Sequence, residues 1–70
     1  MLTEPEQRVL KTFRRFMMTP SRMLCFSGPD LERHRAGLKR LTDRDFLVAE
    51  TFRGGYSLTR EGFDAMKSVG

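Results

Sequence analysis

Seventy residues and 8.1 kDa set the expectation at one domain, since compact domains run from about 50 to 250 residues. A hydrophobic fraction of 39% beside a charged fraction of 31% is the balance of a small folding chain and argues against a disordered or membrane-embedded one. Thirteen Lys+Arg against nine Asp+Glu give a formal charge of +4, which favours a polyanionic partner.

The first element opens at Thr3-Glu4-Pro5-Glu6, which has the spacing of a capping box: hydroxyl to the Glu6 amide, Glu6 carboxylate back to Thr3. Pro5 is tolerated because first-turn amides have no intrahelical partner. Val9, Leu10, Phe13, Phe16 and Met17 form one apolar stripe, with Arg8, Lys11 and Arg15 on the opposite face, and Pro20 predicts an end near Met18. No acidic residue lies between Gln7 and Pro29, whereas Arg8, Lys11, Arg14, Arg15 and Arg22 all do. The short apolar run from Thr19 to Phe26, bounded by Pro20 and by Ser27-Gly28-Pro29, predicts a second helix of about two turns. Asp30 is the expected N-cap of a third helix, from about Leu31 to Asp43. Its inward residues are Leu31, His34, Leu38 and Leu41; Glu32, Arg33, Ala36, Lys39 and Arg40 point outward, with Arg35 on the flank. Phe46 to Phe52 reads as a strand, Arg53-Gly54-Gly55 as a turn, and Tyr56-Ser57-Leu58 as the return strand, pairing Phe52 with Tyr56 across the hairpin. Thr59 caps a last helix from Arg60 to about Ser68, with Phe63 and Met66 toward the core. The expected class is α+β, in the order helix, helix, helix, hairpin, helix, over residues 1–70.

Three helices followed by a two-stranded hairpin resemble the winged helix-turn-helix. The most specific stretch is Leu38-Lys39-Arg40-Leu41-Thr42-Asp43-Arg44-Asp45-Phe46-Leu47 followed by Gly55-Tyr56-Ser57-Leu58-Thr59-Arg60-Glu61-Gly62. It is similar to the recognition-helix end, first wing strand and return strand of MarR-like regulators, and Leu2-Thr3-Glu4-Pro5-Glu6-Gln7-Arg8-Val9-Leu10 looks like the start of that group's first helix. Asp45 stands where such sequences usually place a glycine to end the helix in left-handed geometry, a conformation aspartate tolerates better than most residues. The resemblance implies a transcriptional regulator with its third helix in the major groove of double-stranded DNA and the hairpin on the backbone or minor groove. It assigns Arg33, Arg35, Lys39 and Arg40, with Ala36 among them, to groove edges and phosphates, and Arg53 to the wing tip. Ser21 and Arg22, at the start of the expected second helix, would meet phosphate at its N-terminus.

The competing reading of the same fold is a protein–protein interaction module without DNA binding, carried by Phe52, Tyr56 or Met18, and a homodimer is a further expectation. The basic face of the first helix reads either as solubilising or as a contact to a polyanion or an acidic protein. His34 reads as a core histidine, Cys25 as a small hydrophobe packed in an apolar helix, and Asp43, Asp45 and Glu50 lack metal-ligand spacing. No catalytic residue, metal or cofactor is expected, and the chain does not read as an enzyme. A single cysteine fits a reducing compartment, no apolar run approaches the roughly 20 residues of a membrane helix, and the start of the chain does not resemble a signal peptide. A cytoplasmic location and no membrane partner are therefore expected. With the third helix in the groove, Arg33→Ala or Arg40→Ala weakens specific DNA binding in a binding isotherm, by about 1–3 kcal/mol where the side chain reads a base, and unchanged affinity in both removes that helix from the groove.

Overall fold

The computed structural model describes residues 2–69. Its elements are α1 (Glu4–Arg15), β1 (Met23–Cys25), α2 (Pro29–Asp43), β2 (Leu47–Ala49), β3 (Gly55–Leu58) and α3 (Arg60–Ser68). The three strands form one antiparallel sheet in the order β1-β3-β2, with Leu24 opposite Tyr56 and Tyr56 opposite Ala49. The fold is α+β, with three helices where four were expected and three strands where two were expected.

The expected second helix is the largest correction. Thr19 to Arg22 closes a β-turn, with Arg22 N–H donating to the Thr19 carbonyl, Pro20 at its second position and Ser21 at φ 72° in its third. The chain leaves that turn extended. Burial alternates along β1, with Met23 and Cys25 exposed and Leu24 half-buried, and pairing with β3 supplies the backbone hydrogen bonds a helix would have made internally. Cys25 is consequently exposed and is not packed within a helix.

Helix α1 begins as the capping box requires: Thr3 N–H donates to Glu6 Oε1 at 2.7 Å, and Glu6 N–H to Thr3 Oγ1 at 3.4 Å. It stops a turn earlier than expected, because Met17 takes the left-handed conformation at φ 53°. Met18 N–H then donates to the Phe13 carbonyl and Met17 N–H to the Arg14 carbonyl, which is a Schellman closure with methionine in the place usually held by glycine. That placement costs about 1 kcal/mol relative to glycine. Phe16 and Met17 therefore leave the apolar stripe and stand 57% and 83% exposed. Helix α2 closes in the same way, with Asp45 at φ 62° as the sequence led us to expect and Phe46 N–H on the Leu41 carbonyl. Its N-cap is Gly28 and not Asp30, and no side chain caps it.

In the hairpin, β2 is shorter than expected, and Phe52 lies in the turn that Gly54 closes at φ 83°; Tyr56 therefore pairs with Ala49 and Leu24 instead of Phe52. A Cβ on Gly54 would collide with the Phe26 carbonyl, so only glycine lets this turn lie against the chain leaving β1. Thr59 caps α3 as expected: its hydroxyl accepts from Gly62 N–H at 3.0 Å and donates to the Asp45 carbonyl at 2.7 Å. Val9, Leu10, Phe13, Phe26, Leu38, Leu41, Leu47, Leu58, Met66 and Val69 form the core.

Glu6 is fully buried and holds α1 to the end of α2, with Arg44 Nη1 donating to both of its oxygens at 2.9 Å. Burial pushes its carboxyl toward the neutral form, but the hydrogen bonds from Thr3 and Arg44 outweigh this and hold its pKa below the ordinary carboxylate value. A depressed folded-state pKa contributes stability that is present above the unfolded value and lost as pH falls through the folded one. Glu6→Ala lowers the unfolding free energy by about 2–3 kcal/mol in a denaturant titration at neutral pH, and Glu6→Gln, which keeps an acceptor for Thr3, by less. The difference between wild type and Glu6→Gln shrinks on acidification below the ordinary carboxylate range, and a constant difference refutes the charged role.

Candidate nucleic-acid interface

All eight residues assigned to DNA in the sequence are exposed. Arg33, Arg35, Ala36, Lys39 and Arg40 lie on the outer surface of α2, which the core-facing Gly37, Leu38 and Leu41 orient. The flanks of the helix face different neighbours. Arg35 and Arg53 line one shallow groove with Leu31, Gly54 and Tyr56, between α2 and the β2–β3 turn. Arg33 lines a different groove, on the α1 side, with Arg15, Phe16, Leu24, Asp30 and His34. Ser21 and Arg22 sit in the turn before β1, so the helix N-terminus expected to present them to a phosphate does not exist.

Each cation of α2 has a carboxylate beside it. Arg33 is 3.9 Å from Asp30, Arg35 is bonded to Glu32, Lys39 donates to Asp43 at 3.2 Å, and Arg40 Nε stands 4.0 Å from the buried Glu6. The first three pairs are exposed on both sides, where such contacts contribute about 0–1 kcal/mol and yield to salt or to a stronger anion. Arg40 differs, because its partner cannot leave the core. Among the described residues Lys11, Arg15, Arg22, Arg53 and Arg60 have no carboxylate partner. Arg14 is occupied structurally: it donates to the carbonyls of Lys67 at 3.0 Å and Val69 at 2.8 Å, satisfying the end of α3.

Arg15 meets Arg33 and His34 in the α1-side groove, which the sequence does not announce, since the apolar stripe of α1 runs on to Met17. The stretch between Gln7 and Pro29, free of acidic residues, was the signal available. His34 is half-buried as expected, with its ring edge-on to Phe26 at 5.7 Å. Among the described residues no group of three or more His, Cys, Asp and Glu converges to hold a metal ion, and no helix is long and apolar enough to cross a membrane.

No protein-family model, no curated protein and no solved structure matches the chain.

Burial in the α1–α2 groove pushes the His34 pKa below the ordinary histidine value; Arg33 and Arg8 add to the effect, and Asp30 opposes it. The imidazole is therefore held toward the neutral form, and its contribution to stability is complete above the unfolded pKa of about 6.5 and is lost as pH falls toward the depressed folded value. A proton NMR titration of the His34 ring reads a midpoint below that of a histidine in an unstructured peptide, and Asp30→Asn lowers it further. A midpoint at or above the peptide value overturns the desolvated placement.

Proposed function

We propose that the chain is a small DNA-binding protein of winged-helix type, a transcriptional regulator resembling the MarR-like group, and not an enzyme. In this reading α2 enters the major groove of double-stranded DNA and the β2–β3 hairpin lies on the neighbouring backbone or minor groove. The observation that carries it is the meeting of Arg35 and Arg53 along one groove between helix and hairpin. Ala36, small and exposed, leaves room on the helix surface for a base edge. Lys39 exchanges its weak exposed carboxylate pair for a phosphate, a step favoured by release of the counterions that DNA condenses, whereas Arg33 faces the α1-side groove, apart from Arg35 and Arg53. Arg40 is the weakest of the assigned contacts, because Glu6 competes for it from inside the fold. Ser21 and Arg22 remain exposed and are assigned to the backbone without a helix terminus behind them. The lone cysteine suits a reducing, cytoplasmic setting.

A second reading, a winged-helix protein-interaction module, is favoured by one specific observation: the α2 cations all face carboxylates while Phe52 stands 62% exposed in the hairpin turn. Salt separates the two. A random-sequence duplex binds tightly at about 50 mM salt and much more weakly at about 200 mM if DNA is the ligand, and an interface centred on Phe52 responds little. Replacing Arg35 and Arg53 together by alanine flattens the slope of log affinity against log salt by about 2, whereas Glu32→Gln, which releases Arg35, raises the affinity. No binding at the lower salt, or a slope that the double substitution leaves unchanged, overturns the DNA reading.

A further inference from the structure

The groove on the α1 side of α2 has a composition unlike the one beside the hairpin. It is about 340 Å³ and is lined by the apolar Phe16, Leu24 and Phe26 together with the cations Arg15 and Arg33. Asp30, the carboxylate on its rim, stands 3.9 Å from Arg33, and Arg15 has no carboxylate partner among the described residues. His34, which also lines it, is held toward the neutral form and so adds a hydrogen-bonding ring without a fixed charge.

The second observation comes from the backbone. Helix α1 ends on Met17 in a left-handed conformation that glycine adopts without strain, and the side chain that takes the strain is 83% exposed beside a Phe16 that is 57% exposed. Folding alone favours glycine at position 17. An unbranched, polarizable methionine next to an exposed phenylalanine is the chemistry of an adaptable contact surface. The residues leading into and out of this corner, from Gln7 to Pro29, include five Lys or Arg and no carboxylate.

We propose that the end of α1, with the groove between α1, β1 and the first turns of α2, docks an acidic peptide segment of a partner protein, its apolar anchor seated on Phe16, Met17 and Leu24 and its carboxylates on Arg15 and Arg33. This surface lies on the opposite flank of α2 from the groove shared by Arg35 and Arg53, so it stands or falls independently of DNA binding.

The test is an amide titration of the isotope-labelled full chain with three probes: a synthetic Asp/Glu-rich peptide carrying one central tryptophan, the same peptide with alanine in place of the tryptophan, and a DNA duplex. The tryptophan peptide shifts the amides of residues 15–17 and 24–26, and the alanine peptide binds about tenfold more weakly. Arg15→Glu and Phe16→Ser, both at exposed positions that leave the amide spectrum of the free chain intact, each weaken the tryptophan peptide about tenfold. Met17→Gly weakens it too while raising the thermal midpoint of the free chain, a combination that a residue kept only for folding does not give. Three results overturn the proposal: no shift at these amides with the tryptophan peptide, equal affinity for the two peptides, or a duplex that shifts the same amides and displaces the peptide.

Discussion

One buried carboxylate sets the geometry on which the remaining elements depend. Glu6 completes the cap of α1 through Thr3 and at the same time takes both hydrogen bonds from Arg44, the residue that caps the far end of α2. A charge with no exposure is tolerated only where hydrogen bonds replace its hydration, and three reach this carboxylate, so these two helices have little freedom to slide past each other. Close approach reinforces the constraint, since a Cβ on Gly37 would collide with the Pro5 carbonyl. From Arg44 the order passes onward: its guanidinium covers the Phe46 ring at 4.8 Å, the Phe46 carbonyl accepts from Thr59 N–H at 3.1 Å, and Thr59 starts α3. Helix α3 then closes the circuit, its last carbonyls held by Arg14 of α1. In a chain this short, whose total stability is of the order of 4–10 kcal/mol, a polar circuit of this kind supports a core of ten residues.

The same circuit divides the basic residues into two populations. Arg14 and Arg44 are spent on the fold, and Arg40 is drawn toward it. What remains for a partner is displaced from the centre of α2 to its margins: Arg35 with Arg53 on the hairpin side, Arg15 with Arg33 on the α1 side. A net charge of +4 therefore understates the contrast across the surface, because the stretch from Gln7 to Pro29 carries five Lys or Arg and no carboxylate, while α2 carries the exposed Asp30, Glu32 and Asp43 among its cations.

Much of the fold was legible wherever a local hydrogen bond has a sequence signature. The capping box at Thr3, the left-handed Asp45, the glycine turn at Gly54 and the Thr59 cap each involve side chains or backbone angles that few residue types supply. Residues 19–26 were not legible, because a short apolar run carries too few periods to separate a helix from a strand, and the partner that decides, β3, lies thirty or more residues further on. The end of α1 was hidden for a related reason: methionine in a left-handed cap gives none of the warning that glycine does. The missed strand changed the site, since it withdrew a helix terminus from Ser21 and Arg22, and the early stop of α1 turned Phe16 and Met17 outward. Which cations share a groove was not legible either for Arg35 and Arg53, which meet only once the hairpin turn lies against α2, or for Arg15 and Arg33, whose meeting depends on where α1 stops.

A helix with different neighbours on its two flanks can serve two partners without either obstructing the other. The core side of α2 is fixed by Leu38 and Leu41, so rotation about its axis is not available to re-aim its side chains. Arg33 and Arg35 are consequently committed to opposite grooves although they are two residues apart, a separation that turns a helix through about 200°. Ala36, between them on the outward face, keeps the exposed ridge low, so that a ligand lying along α2 reaches Arg35 and Lys39 before it meets Arg33. Binding along the hairpin flank thus leaves the α1 flank uncovered, and Phe16, which lines that groove, and the strained, exposed Met17 that follows it remain accessible in either state.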